Sequence, residues 1–108
     1  MLVVNRFLVE SEAEFTVRAD AALRALASRD GFLRARLGRA ADDPGRWCLV
    51  TEWQSVGAYR RALSAYDVKL YATPLLAESE DEPSAYEVLT SWEGDQLTQA
   101  RSDRAPTD

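Results

Sequence analysis

The stretch RWCLVTEWQSVGAY, residues 46–59, constrains the fold more than any other part of the chain. Residues 46–54 read as a strand, and Ser55 reads as the N-cap of a helix that follows at once. Side chains alternate across a sheet. Trp47, Leu49, Thr51 and Trp53 therefore point one way, and Cys48, Val50, Glu52 and Gln54 the other. Both sides carry apolar residues, so each side is expected to meet something. A sheet with one layer of helices covers only one face by itself, and the second face then needs a partner.

The remaining segments fit around this stretch. Residues 2–9 form an apolar run interrupted by Asn5 and Arg6, which predicts a mostly buried first strand. Ser11 and Glu14 match a capping box and start a helix near Glu12. Phe15, Ala19, Ala22, Leu23 and Leu26 then lie on one helical face. Asp30-Gly31 ends that helix. In the second strand Leu33, Ala35 and Leu37 alternate with Phe32, Arg34 and Arg36. Residues 38–45 read as a polar connection with a turn at Asp43-Pro44-Gly45, making strands two and three a hairpin with a longish loop. Val56, Tyr59, Leu63 and Tyr66 recur at helical spacing, residues 67–71 suggest a second short helix, and Pro74 interrupts or restarts it. The acidic run at residues 78–82 reads as a solvated loop before Pro83. Residues 85–92 alternate as a fourth strand. The domain is expected to span residues 1–92, with residues 93–108 a polar tail that is mobile unless it lies on a partner.

The order β-α-β-β-α-β gives an α+β, ferredoxin-like fold: a four-stranded antiparallel sheet with helices on one face. The open face is expected to carry a tryptophan or phenylalanine on most strands and to pack on an identical sheet across a two-fold axis. A chain of 108 residues is one domain with a modest core, for which dimerisation is a common supplement. The formal charge of −5 disfavours nucleic acid and anionic lipid. No apolar run approaches the roughly 18 residues of a membrane span. The N-terminus shows no basic leader, so no signal peptide is expected. The single Cys48 permits no internal disulfide. A cytoplasmic location follows. The chain has no histidine, which excludes His-based zinc sites, Ser-His-Asp triads and His-ligated haem. No metal site and no cofactor are expected.

The junction LVTEWQSVGAYRRAL, residues 49–63, resembles the antibiotic biosynthesis monooxygenase domain, a dimeric α+β barrel. The first strand VVNRFLV and the phrase DGFLRARLGRA fit the same pattern. The resemblance covers roughly residues 2–92, and its most specific part is Glu52-Trp53-Gln54-Ser55 followed by Tyr59. The family includes cofactor-free oxygenases of aromatic polyketides, haem-degrading enzymes and members without known activity, so the fold alone does not set the reaction. The haem-degrading branch uses a histidine ligand that this chain lacks. Its first-strand asparagine matches Asn5 only loosely, because the local register places Phe7 nearer the equivalent position. Likeness to the quinone-forming members implies a pocket between helices and sheet.

Cofactor-free oxygenation needs an apolar enclosure, a proton acceptor and donors to an enolate oxygen. Asn5 offers an amide for a substrate oxygen, against the alternative of a side chain satisfied by nearby backbone. Trp53 and Tyr59 offer planes for an aromatic ring, against ordinary core packing. Tyr66, like Tyr71, lies where a hydroxyl would reach a closing pocket, against a rim or dimer contact. Arg34 and Arg36 suit an enolate or surface ion pairs. Glu52 is a base only if burial raises its pKa. Asn5, Trp53, Tyr59 and Tyr66 are the expected substrate-binding set, and no catalytic residue is assigned. The chain reads as a cofactor-independent monooxygenase of a small aromatic or polyketide-like compound, acting as a homodimer. The alternatives are a non-catalytic binder of a small apolar ligand and a structural dimer whose cavity its own side chains fill.

Overall fold

The computed structural model describes residues 1–100 of the chain. The elements are β1 (Leu2–Leu8), α1 (Glu12–Ala27), β2 (Phe32–Ala40), β3 (Asp43–Trp53), α2 (Val56–Leu63), α3 (Tyr66–Tyr71), α4 (Thr73–Leu76), β4 (Ala85–Tyr86), β5 (Thr90–Glu93) and β6 (Gln96–Gln99). β2, β3, β1 and β4 form one antiparallel four-stranded sheet in that order, and β5 and β6 pair separately. The architecture is α+β and ferredoxin-like.

Local chemistry places the helices. The Ser11 hydroxyl accepts from the Glu14 amide at 3.4 Å, so the capping box starts α1 where the sequence signals it. Phe15, Ala19, Ala22 and Leu26 form its buried stripe. The Ser55 hydroxyl accepts from the Ala58 amide at 3.0 Å and sets the start of α2 directly after β3. Gly31 turns the chain from α1 into β2 at φ +87°, and a Cβ there would lie 2.4 Å from the Ala58 Cβ. Only glycine fits both the backbone and that close approach to α2.

Register decides which face each strand residue takes. Val3, Asn5 and Phe7 sit opposite Thr51, Leu49 and Trp47, and all six face the helices as buried residues. On β2 a bulge after Phe32 brings Phe32 opposite Trp53 and Ala35 opposite Thr51. Phe32 thus joins Ala35 and Leu37 on the helix side, while Leu33, expected with them, is exposed. Rings pack in two sets: Phe7–Phe15–Trp47, and Phe32–Trp53–Tyr59.

This arrangement corrects the expected composition of the open face. The large rings of β1, β2 and β3 all turn toward the helices. The open face carries Leu2, Val4, Arg6 and Leu8 of β1, Arg46, Cys48, Val50 and Glu52 of β3, Arg34 and Arg36 of β2, and Tyr86 of β4. It is smaller in its apolar groups and richer in arginine than the alternation suggested.

Two connections also differ. The link between β2 and β3 is only Ala41-Asp42, because β3 begins at Asp43 and takes up Pro44 in an irregularity beside Arg39 and Ala40. The expected fourth strand is two strands. Tyr86 pairs with Leu2 in an antiparallel register. The pairing of β4 with β1 ends at Tyr86. Thr90–Glu93 instead folds back on Gln96–Gln99 through Gly94-Asp95, with Gly94 at φ +61°. The expected tail therefore begins with an ordered strand, and residues 101–108 lie outside the described residues.

The acidic run lies at the surface, as expected of a solvated loop, and is also held by ion pairs. Glu78 pairs with Arg18 of α1, Glu80 with Arg46 of β3 at 3.2 Å, and Glu82 with Arg6 of β1 at 3.1 Å. The Glu80 amide donates to the Arg6 carbonyl at 2.7 Å, and the Val4 amide to the Ser84 carbonyl at 2.7 Å. The loop thus runs along the edge of β1. Among the described residues no helix is long and apolar enough to cross a membrane.

Candidate functional site

A cleft of about 650 Å³ opens between the helix face of β1 and the helices α2 to α4. Asn5 forms its floor, Tyr59 and Leu63 one wall, Lys69, Thr73, Leu76 and Ala77 the other, and Ser79 and Ser84 close the end. Helical spacing explains the walls. Tyr59 and Leu63 are four residues apart on α2. Across α3 and α4, Val68, Ala72 and Leu75 form the buried stripe. Lys69, Thr73 and Leu76, each one residue later, form the adjacent stripe and face the cleft.

Asn5 is 8% exposed, between Val3 and Phe7 on a strand that is otherwise apolar on this side. Its side-chain amide makes no hydrogen bond to another described residue. No fully buried side-chain nitrogen or oxygen among those residues lacks a partner, so the amide reaches the open cleft. Satisfaction by nearby backbone, the alternative in the sequence, is not what the structure has.

Tyr59 stands beside it. Its ring packs on Trp53 with centroids 5.4 Å apart, and burial pushes its phenol above the ordinary tyrosine value. It is therefore a neutral O–H donor at physiological pH. Trp53 is completely buried, donates from Nε1 to the Thr51 hydroxyl at 2.9 Å, and rests on Phe32 on its other side. It backs Tyr59 and does not line the cleft. Tyr66 is 80% exposed at the start of α3 and is not among the cleft residues. The structure thus brings Asn5 and Tyr59 together, places Trp53 one layer behind, and leaves Tyr66 outside.

Arg34, Arg36 and Glu52 lie on the opposite face of the sheet from the cleft. Arg34 pairs there with Glu52 at 3.7 Å and with Glu93 of β5 at 3.8 Å. Cys48 is half-buried on that same face. No carboxylate lines the cleft. Among the described residues no group of three or more cysteines and carboxylates could hold a metal ion. Lys69, Thr73 and Ser84 are cleft residues that the sequence reading missed. The helical stripe 69–73–76 is the signal that would have found the first two.

The family model for antibiotic biosynthesis monooxygenase matches residues 1–73, which supply the floor, the Tyr59 wall and all of α3. The chain belongs to the antibiotic biosynthesis monooxygenase family. Its fold is similar to SnoaB, a cofactor-independent oxygenase from Streptomyces nogalater, at 29% identity and a TM-score of 0.66, covering 94% of this chain and 92% of that one. Rv0793 from Mycobacterium tuberculosis shares the fold at 20% identity and a TM-score of 0.62, with 97% of each chain covered. A putative antibiotic biosynthesis monooxygenase from Nitrosomonas europaea shares it at 15% identity and a TM-score of 0.63, covering 82% of this chain and 97% of that one. No curated protein matches the chain.

Proposed function

We propose that this family member is a cofactor-independent monooxygenase that oxidises a small aromatic, polyketide-like compound in the β1–α2–α3/α4 cleft. One observation carries the reading: Asn5 and Tyr59 present two polar groups, free of internal hydrogen bonds among the described residues, in a largely apolar enclosure. Two donors beside an apolar surface suit a flat ring with an oxygen at its edge. The 29% identity to SnoaB supports the same reaction class.

The chemistry rests mainly on the substrate. An anthrone-type CH₂ loses a proton to water at the cleft mouth. Asn5 and Tyr59 donate to the enolate oxygen, which holds the negative charge as it forms. The carbanion passes an electron to dioxygen, and the radical pair closes to a C–O–O⁻ peroxide that takes up a proton. Loss of the second C–H proton with cleavage of the O–O bond gives a ketone and water. The carbon loses four electrons and dioxygen gains four, so no further reductant is required. Trp53 takes no part in these steps; it fixes the plane of Tyr59.

The protein acts as a homodimer on this reading, with the open sheet face covered by a second copy. The absence of a carboxylate from the cleft favours one other reading, binding of an aromatic ligand without turnover. An open volume of about 650 Å³ argues against a purely structural dimer with a filled cavity. Oxygen uptake with an anthrone and hydroquinone panel, without added metal or flavin, decides between the first two. Consumption of one O₂ per quinone formed is expected. A protein that retains a ring compound but consumes no oxygen is a binder.

A further inference from the structure

We propose that Lys69 is the anion receptor of the cleft and that the ligand enters carrying an ionised oxygen, on a carboxylate or on the ring itself. The proposal rests on the cleft being the ligand site, and it adds the charge of the ligand.

Lys69 is the only lysine in the chain. It stands on the cleft wall, one turn before Thr73, in a protein of net charge −5. Seven of the ten arginines in the described residues are held in ion pairs, and Lys69 is in none among those residues. The carboxylates nearest in sequence to the cleft end are engaged elsewhere: Glu78 by Arg18 and Glu80 by Arg46. No Asp or Glu lines the cleft. The ammonium charge is therefore uncompensated within it.

A lysine suits this task. Its ammonium is a compact charge on a flexible stem, with three donors that follow an oxygen through a range of positions. Its stem covers apolar surface while the charged end stays at the rim. Asn5 and Tyr59 supply neutral donors at the floor and opposite wall. A ring compound with one anionic oxygen then has a defined orientation, its charge toward Lys69.

Calorimetry on the full chain tests this with naphthalene-2-carboxylate, naphthalene-2-carboxamide and 2-naphthol, on wild type, Lys69→Met and Lys69→Arg. The carboxylate should bind about tenfold more tightly than the carboxamide, the low end for a charge-assisted hydrogen bond at a partly exposed site. Lys69→Met should abolish that preference by weakening the carboxylate far more than the carboxamide, and Lys69→Arg should keep most of it. In the naphthol arm, the naphtholate absorbance of the bound ligand at fixed pH 8 should fall in Lys69→Met. A Lys69-dependent effect in one arm identifies which oxygen the site takes. Equal binding of carboxylate and carboxamide with no naphtholate effect overturns the proposal and leaves the cleft reading standing. Failure of every ring compound to bind overturns both. A second readout is chemical: the chain yields a single lysyl side chain for acylation, so bound carboxylate should slow labelling of Lys69 in peptide mass spectra. Unchanged labelling at saturation counts against the proposal.

Discussion

An asparagine held between Val3 and Phe7 on the buried side of β1 is a poor choice for stability. An amide that is mostly removed from water and lacks an internal partner is destabilising, on the order of 1–3 kcal/mol. Such residues are retained where they act on something else. Asn5→Leu should therefore raise unfolding free energy by about 1 kcal/mol, at the low end because the amide reaches the open cleft. The same change should reduce oxygen turnover by about a hundredfold, as loss of one donor to a forming oxyanion does. Urea unfolding and oxygen uptake on one preparation check both, and a variant that is less stable yet fully active contradicts the site. Tyr59 makes a second prediction. Burial raises its phenol pKa, so the unfolded chain ionises first, near about pH 10. The stability tied to the protonated phenol is complete below that pH. It is lost as pH climbs through the higher folded value. Tyr59→Phe should flatten the fall in urea midpoint between about pH 9 and 11. An identical slope in the variant would show that the phenol is not desolvated.

At the scale of elements, the acidic loop is the wall that charge chemistry controls. The hydrogen bond from Arg18 holds the Glu78 carboxyl below the ordinary carboxylate range. A depressed carboxylate contributes above its unfolded pKa, and the contribution disappears as pH falls through the folded value. The pin at Glu78 should therefore hold through the ordinary glutamate range and release only as pH falls below it, and Arg18→Gln should release it at pH 7. The Glu80 amide, bonded to the Arg6 carbonyl, reports the loop. Its hydrogen-exchange protection should drop in both conditions, while the Val50 amide of β3 stays protected. That residues 78–82 lie at the surface is legible in their charge, but their ion pairs are not, because the partners from α1, β1 and β3 are remote in sequence. Both caps, the α1 stripe and the split of α3 from α4 at Pro74 were legible, since each depends on residues within one or two turns. The bulge at Phe32 was not, because an inserted residue leaves no mark in simple alternation. Nor was the length of β4, because the alternation of residues 85–92 runs on past the pairing with β1. The Gly94-Asp95 turn did carry a hairpin signal, overlooked because the polar residues after it read as tail. Of the site, Asn5 and Tyr59 announced themselves by residue type. Lys69 and Thr73 did not, because which of two adjacent helical stripes faces the sheet is a tertiary fact.

For the whole molecule, the proposed homodimer would form through the sheet's uncovered face. Leu2, Val4, Leu8, Val50 and Tyr86 form an apolar tract there, bordered by Arg6, Arg34, Arg36 and Arg46. The β5–β6 hairpin is tied to that side by the Arg34–Glu93 pair and exposes Trp92 and Leu97. Strand and hairpin together offer the mixture of aromatic, aliphatic and arginine side chains that interface cores favour. A second copy, related by a two-fold axis, would meet the same set of groups on its own sheet. Light scattering should give twice the 12.1 kDa of one chain. Val50 lies at the centre of this face, opposite Val4 on one side and Arg36 on the other. In a monomer, a lysine at position 50 would point into water and leave folding intact. In the dimer, it would bury a charge beside Arg36, with the acid on that strand face, Glu52, already paired with Arg34, costing several kcal/mol. Val50→Lys should therefore halve the mass while circular dichroism stays that of a folded chain. Because the cleft lies on the other face of the sheet, the variant should still bind the carboxylate probe. A wild-type chain that runs as a monomer at micromolar concentration would mean that the open face is simply solvated, and the cleft would then have to work within one protomer.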